Sequence, residues 1–77
     1  MNRNERREKM TAYLVEKMTH YLETMCADHA TGNTAMFHYS AGRADAIRAV
    51  LEDAYGWDER YADEHIKAMW DIMDENW

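Results

Sequence analysis

The stretch TGNTAMFHYSAGRADAIRAVLEDAYGW, Thr31 to Trp57, decides the fold of this chain. Phe37, Ala41, Ala44, Ile47, Leu51, Ala54 and Tyr55 recur at three- and four-residue steps and share one face of a helix over about 34–55. Glycine bounds it on both sides. Gly32 suits the left-handed position after a preceding helix, and Gly56 suits the same position after this one. Asn33 or Thr34 can cap the start. Gly42 lies inside the span and costs about 1 kcal/mol relative to alanine. A break at Ser40, with Ser40 capping a shorter helix, is the alternative. The continuous helix is the better reading, because Gly42 projects opposite the apolar face together with Ala35, Ala46 and Ala49. A helix with a large-residue face and a small-residue face can be buried on both sides or form the seam of a homodimer. Alanine also favours helix in contact with water, and that reading stays open.

Upstream, Met10, Leu14, Met18, Tyr21, Leu22, Met25 and His29 form one stripe of a helix over about 4–30, with Ala12, Glu16, Thr19, Glu23 and Ala27 pointing away. Tyr13 and His20 fall off the stripe. Downstream, Asp58 is a natural N-cap, and Ala62, Ile66, Met69, Met73 and Trp77 form the apolar stripe of a helix over about 58–75. His65 and Ile72 flank that stripe, and Trp70 falls at its margin. There is no proline and no alternating apolar–polar run that would argue for a strand. The expected fold class is all-α. Short connections make it an antiparallel three-helix bundle or a helical hairpin with a third helix across it.

A chain of 77 residues makes a single domain, 1–77, with a modest core. Cys26 is the one cysteine, so an intrachain disulfide is excluded and a reducing, cytoplasmic setting is expected. No apolar run reaches the ~20 residues that a bilayer-spanning helix needs, and the polar Met1–Met10 segment is not expected to hold a signal peptide. A net charge of −6 argues against direct binding of nucleic acid or anionic membrane. The basic first turns, with Arg3, Arg6, Arg7 and Lys9, are the one local exception.

Catalytic and metal chemistry find little support. Cys26, His29, His38 and Asp28 are the only set with metal-like spacing, and it lacks a second ligand pair such as Cys-x2-Cys. No Glu is followed three residues later by His, as carboxylate-bridged di-metal bundles require. There is no glycine-rich phosphate loop and no strained nucleophile turn. Neither cofactor nor metal is expected, and the chain is read as a non-enzyme. Most of the seven methionines lie on the apolar stripes, where they fill core.

Charge is concentrated at the end of the chain. Residues 56–77 hold seven acids against two bases, −5 of the total −6, together with Trp57, Trp70 and Trp77. Acids interleaved with large aromatics on one helix make a surface suited to a basic partner. The candidate contact residues are Asp63, Trp70, Asp71, Asp74, Glu75 and Trp77.

The run Tyr39-Ser40-Ala41-Gly42-Arg43-Ala44-Asp45-Ala46-Ile47 resembles a helix of small bacteriophage and prophage proteins, in which Gly-Arg-x-Asp-Ala-Leu/Ile sits mid-helix. In size and acidity the chain also resembles phage-encoded inhibitors of host defence, including anti-CRISPR proteins. The resemblance implies a continuous second helix and a compact acidic protein that occupies a nucleic-acid-binding cleft of a host enzyme; it transfers no functional residue. The sequence thus supports a protein-binding module that docks through its acidic C-terminal helix. The competing reading is a structural or regulatory homodimer joined through Ala35, Gly42, Ala46 and Ala49, with the basic N-terminus touching nucleic acid.

Overall fold

The computed structural model describes residues 2–77 as three α-helices: α1 (Arg3–Thr31), α2 (Thr34–Ala54) and α3 (Glu64–Asn76), with a single 3₁₀ turn (Glu59–Tyr61) before α3. The described residues hold no strand. At 1.5 Å per residue the 29 residues of α1 span about 44 Å. That one helix sets the long dimension of a molecule measuring 45 × 20 × 17 Å.

Local chemistry explains the hairpin of α1 and α2. Asn2 caps α1, its side chain accepting the Glu5 amide at 2.8 Å. At the other end Gly32 sits at φ 76°, which turns the chain so that the Asn33 amide donates to the Asp28 carbonyl at 2.9 Å and the Gly32 amide to that of His29 at 3.2 Å. One residue later the Asn33 side chain accepts the Met36 amide at 3.2 Å and starts α2. The second helix runs unbroken through Gly42, as the continuous reading expects, and Gly56 at φ 67° ends it. There the Leu51 carbonyl receives the amides of both Tyr55 and Trp57.

The core lies between the three helices. Met18, Leu22 and Met25 of α1 are fully buried, and α2 contributes Phe37, Ala41, Ala44 and Leu51. Ser40 is buried too, with its hydroxyl unpartnered, a position outside the expected apolar set. The small residues of α2 that govern packing are therefore Ser40, Ala41 and Ala44 on the inner face, where they let α1 and α2 approach closely. Ala35, Ala46 and Ala49 face outward and are exposed. Met10 is 43% exposed although it continues the α1 stripe, because α3 packs along the other half of the hairpin. That placement is fixed by His65 beside Glu23 and by Trp77 beside His38. His29, also expected on the stripe, is exposed, with its ring 5.6 Å from that of Phe37.

The start of the third helix departs from the sequence reading. Asp58 does cap a turn, accepting the Arg60 amide at 2.8 Å, but that turn closes after Tyr61 and Ala62 is extended. Asp63 then caps α3 by accepting the Ile66 amide at 2.9 Å. Trp57 and Ala62, on either side of this turn, are both buried. The buried face of α3 is Ile66, Met69, Trp70 and Met73, a three- and four-residue repeat. Trp77 is the residue after the last helical turn and is 57% exposed rather than part of that face.

Candidate functional site

The acids of α3 fall on one side because helical geometry places residues 64, 67, 71, 74 and 75 within one stripe, opposite the buried face. Glu64, Asp71, Asp74 and Glu75 are all exposed along it. Lys67 is the single base in the stripe and lies 3.7 Å from Glu64. Arg60 is held by Asp58 at 3.2 Å, and the two hydrogen bonds from Arg60, backbone first, keep the Asp58 carboxyl below its ordinary range. Among the described residues, no basic side chain comes within ion-pair distance of Asp71, Asp74 or Glu75. A shallow cleft of about 450 Å³ opens beside them, bounded by Glu59, Glu64, Asp71 and Asp74, with Arg60 and Lys67 at its edges and Trp70 among its walls.

The six residues singled out from the sequence divide three ways. Asp71, Asp74 and Glu75 sit together on the acidic stripe. Asp63 is exposed, but its carboxylate is occupied as the α3 cap. Trp70, read from the sequence as lying at the margin of the apolar stripe, is buried at 4% exposure, and the Arg48 guanidinium covers its ring at 4.0 Å. Trp77 remains available. Its ring meets that of His38 edge-on at 6.2 Å, and it stands over Gly42, where a Cβ would lie 3.7 Å from the indole. The small-residue seam of α2 is thus partly closed by the chain's own Trp77, while Ala35, Ala46 and Ala49 stay open beside exposed Tyr39 and Val50.

Two features escaped the sequence reading. Arg48 binds Asp45 and Glu59 at 2.7 Å each, reaches Glu52 at 3.9 Å and ties the 3₁₀ turn to α2 over the Trp70 ring. The Asp45 and Glu52 partners were legible as i,i+3 and i,i+4 spacings, whereas Glu59 and Trp70 were not. The second feature is a pocket of about 230 Å³ at the α1–α2 turn, lined in part by Asp28, His29, Phe37, His38 and Asn76. It gathers three of the four side chains considered as metal ligands but omits Cys26. The described residues hold no group of three or more His, Cys, Asp or Glu arranged to bind a metal. Cys26 is half-buried; burial first, and then the Glu23 carboxylate, pushes its thiol above the ordinary range. Such a thiol is a poor nucleophile at neutral pH. Among the described residues, no helix is long and apolar enough to cross a membrane.

No family model matches the chain, and no curated protein and no solved structure shows significant similarity to it.

Proposed function

We propose that this protein is a binding module without chemistry of its own, an accessory or inhibitor protein that docks its acidic third helix on the basic, nucleic-acid-binding surface of another protein. The observation that carries this reading is the set of three unpaired carboxylates, Asp71, Asp74 and Glu75, on the last two turns of α3. They lie at the negative end of the helix dipole, and the last turn holds no base to offset them. Asp71 and Glu75 are also spaced i,i+4, an arrangement that costs about 0.2–0.5 kcal/mol between like charges. The folded chain gains nothing from this placement; a basic partner would. Exposed Trp77 beside the stripe adds apolar contact of the kind that concentrates binding energy.

The test is capture of partners by tagged protein from nuclease-treated bacterial lysate, repeated with the Asp71→Lys/Asp74→Lys double variant. The proposal expects a nucleic-acid-binding protein that DNA displaces and that the variant fails to retain at unchanged helicity. Retention by the variant sinks it. A second reading, a homodimer through the outer face of α2, draws on exposed Tyr39 and Val50 beside Ala46. It predicts that Ala46→Glu halves the mass seen by light scattering, and an unaltered mass excludes that seam.

A further inference from the structure

Arg7, Lys17 and Arg43 have tyrosine rings for neighbours where most cations have carboxylates. Arg7 lies 5.3 Å from the Tyr55 ring and Lys17 5.8 Å from that of Tyr13, while Arg43 stands 5.2 Å from Tyr39 and 6.0 Å from Tyr21. Among the described residues, no carboxylate comes within ion-pair distance of any of the three. Arg7 gives one N–H to the Ala54 carbonyl at 2.8 Å and has others to spare. A ring satisfies a cation only in part, so each of these charges can still take an anion.

Helical phase gathers them on one face. Along α1, Arg3, Arg7, Lys17 and Tyr21 fall within roughly 80° of arc. Glu5, Glu8, Glu16 and Glu23 lie about half a turn away, and there Glu23 meets His65 of α3 at 3.8 Å. Along α2, Tyr39, Arg43 and Val50 form a second stripe, and the approach of Arg43 to Tyr21 joins the two. The hairpin thus turns four bases, Arg3, Arg7, Lys17 and Arg43, away from α3. The acid nearest in phase is Asp53, one turn beyond Val50. The bundle measures 20 × 17 Å in cross-section, against a Debye length of about 8 Å at physiological salt. Acids on the outer side of α3 are therefore screened from this face, and the net charge of −6 does not decide what it binds.

Chemistry selects the occupant. Arginine forks fit phosphate oxygens. Tyr13 and Tyr39, 52% and 51% exposed, offer ring surface to bases that are not already stacked. In a duplex the bases are stacked on one another and leave such rings idle. A second copy would bring the same four bases to the contact, and like charges oppose that pairing. We propose that this face binds a single strand of nucleic acid, with phosphates on Arg7, Lys17 and Arg43 and bases against Tyr13 and Tyr39. It is separate from α3 and leaves the acidic helix free to dock.

The experiment is fluorescence anisotropy of a labelled oligothymidylate of about 20 nucleotides, titrated with the intact protein at about 50 to 200 mM salt. The expected result is binding that weakens with salt at a log–log slope near −2, about −0.7 for each of three phosphates. Lys17→Gln/Arg43→Gln should cut that slope to about one third at unchanged helicity. Asp53→Lys should steepen it. Tyr39→Ala should weaken binding about fivefold or more, the loss of one stacked base, and Tyr39→Phe should not. Asp71→Asn/Asp74→Asn/Glu75→Gln should leave the slope unchanged, which separates this face from the acidic helix. No binding at about 50 mM salt, or an unaltered slope in Lys17→Gln/Arg43→Gln, overturns the proposal. Equal affinity for the matching duplex overturns the single-strand assignment. Tighter binding of polyglutamate gives the face to an acidic protein segment, and a doubled mass by light scattering gives it to a second copy; either result overturns the proposal.

Discussion

Trp70→Ala separates a core residue from a contact residue more sharply than any other single change in this molecule. A tryptophan buries about 150–250 Å², and Trp70 is left only 4% exposed. At ~25 cal/mol per Å² that area is worth about 4–6 kcal/mol. Residual compactness of the unfolded chain lowers the figure by roughly 10–40%, which brings it to the ~3–5 kcal/mol typical of Trp→Ala in cores. The unpartnered indole N–H subtracts from this, and the cation–π contact of Arg48 at 4.0 Å restores part of it. A domain of 77 residues has about 4–12 kcal/mol in hand at 0.05–0.15 kcal/mol per residue. With a urea dependence of about 1 kcal/mol/M for so small a chain, the variant's midpoint should fall by some 3 M or vanish. Trp77→Ala makes the control: at 57% exposed it loses less than half the area, about 1–2 kcal/mol. The assay is urea unfolding followed by far-ultraviolet circular dichroism, alongside partner capture. A Trp70→Ala chain that keeps its midpoint yet loses its partner would refute the burial argument and restore Trp70 as a contact residue.

Arg48→Met should lower stability by about 1–2 kcal/mol in thermal unfolding, since it releases three carboxylates and uncovers Trp70; an unchanged melting temperature would mean the cluster is only a surface arrangement. Gly42→Ala should stabilise by about 0.5–1 kcal/mol, because a Cβ there meets Trp77 at an ordinary 3.7 Å inside a helix. Gly32→Ala, at φ 76°, should instead destabilise by about 1–2 kcal/mol, and equal effects at the two sites would contradict the assigned backbone. Neutralising Asp74 and Glu75 as Asn and Gln should raise the melting temperature slightly and weaken partner capture, whereas a lowered melting temperature would show that the folded chain uses those charges. The Asp58 carboxyl is depressed in the fold, so its contribution is present above its ordinary value of 3.8 and is lost as pH falls through the folded value. Asp58→Asn should accordingly flatten that acid limb, and identical acid unfolding of variant and wild type counts against the cap.

The helical hairpin was legible because its signals are local. Gly32, Asn33 and Gly56 each specify a backbone conformation that few other residues supply, and the three- and four-residue spacing of Met18, Leu22 and Met25 needs no knowledge of the partner helix. The start of α3 was not legible, because Asp58 and Asp63 are equally good caps. Both do cap a turn, and local spacing does not say which of the two turns continues into the helix. The burial of Trp70 and the exposure of Trp77 both depart from helical phase, for related reasons. Helical phase put Trp70 at the margin, but Arg48 from α2 folds over it; phase put Trp77 on the buried stripe, but beyond the last turn phase no longer places a side chain. Asp71, Asp74 and Glu75 share one exposed face, as phase alone requires, whereas Asp63 is taken up as the cap. The Asp28 pocket draws walls from all three helices, and no pairwise spacing announces it.

Most of the chain agrees with itself at every level: caps sit at helix starts, glycines at left-handed positions, and Arg48 among three acids. The departures are of two kinds. Asp28, Ser40 and Trp70 each keep a buried polar atom without a partner, a cost that close packing of the three helices imposes. Asp74 and Glu75 instead crowd the negative end of α3 at the exposed surface, with no base in its last turn. Packing does not demand that second cost, and it is the one that the proposed docking on a basic partner would remove.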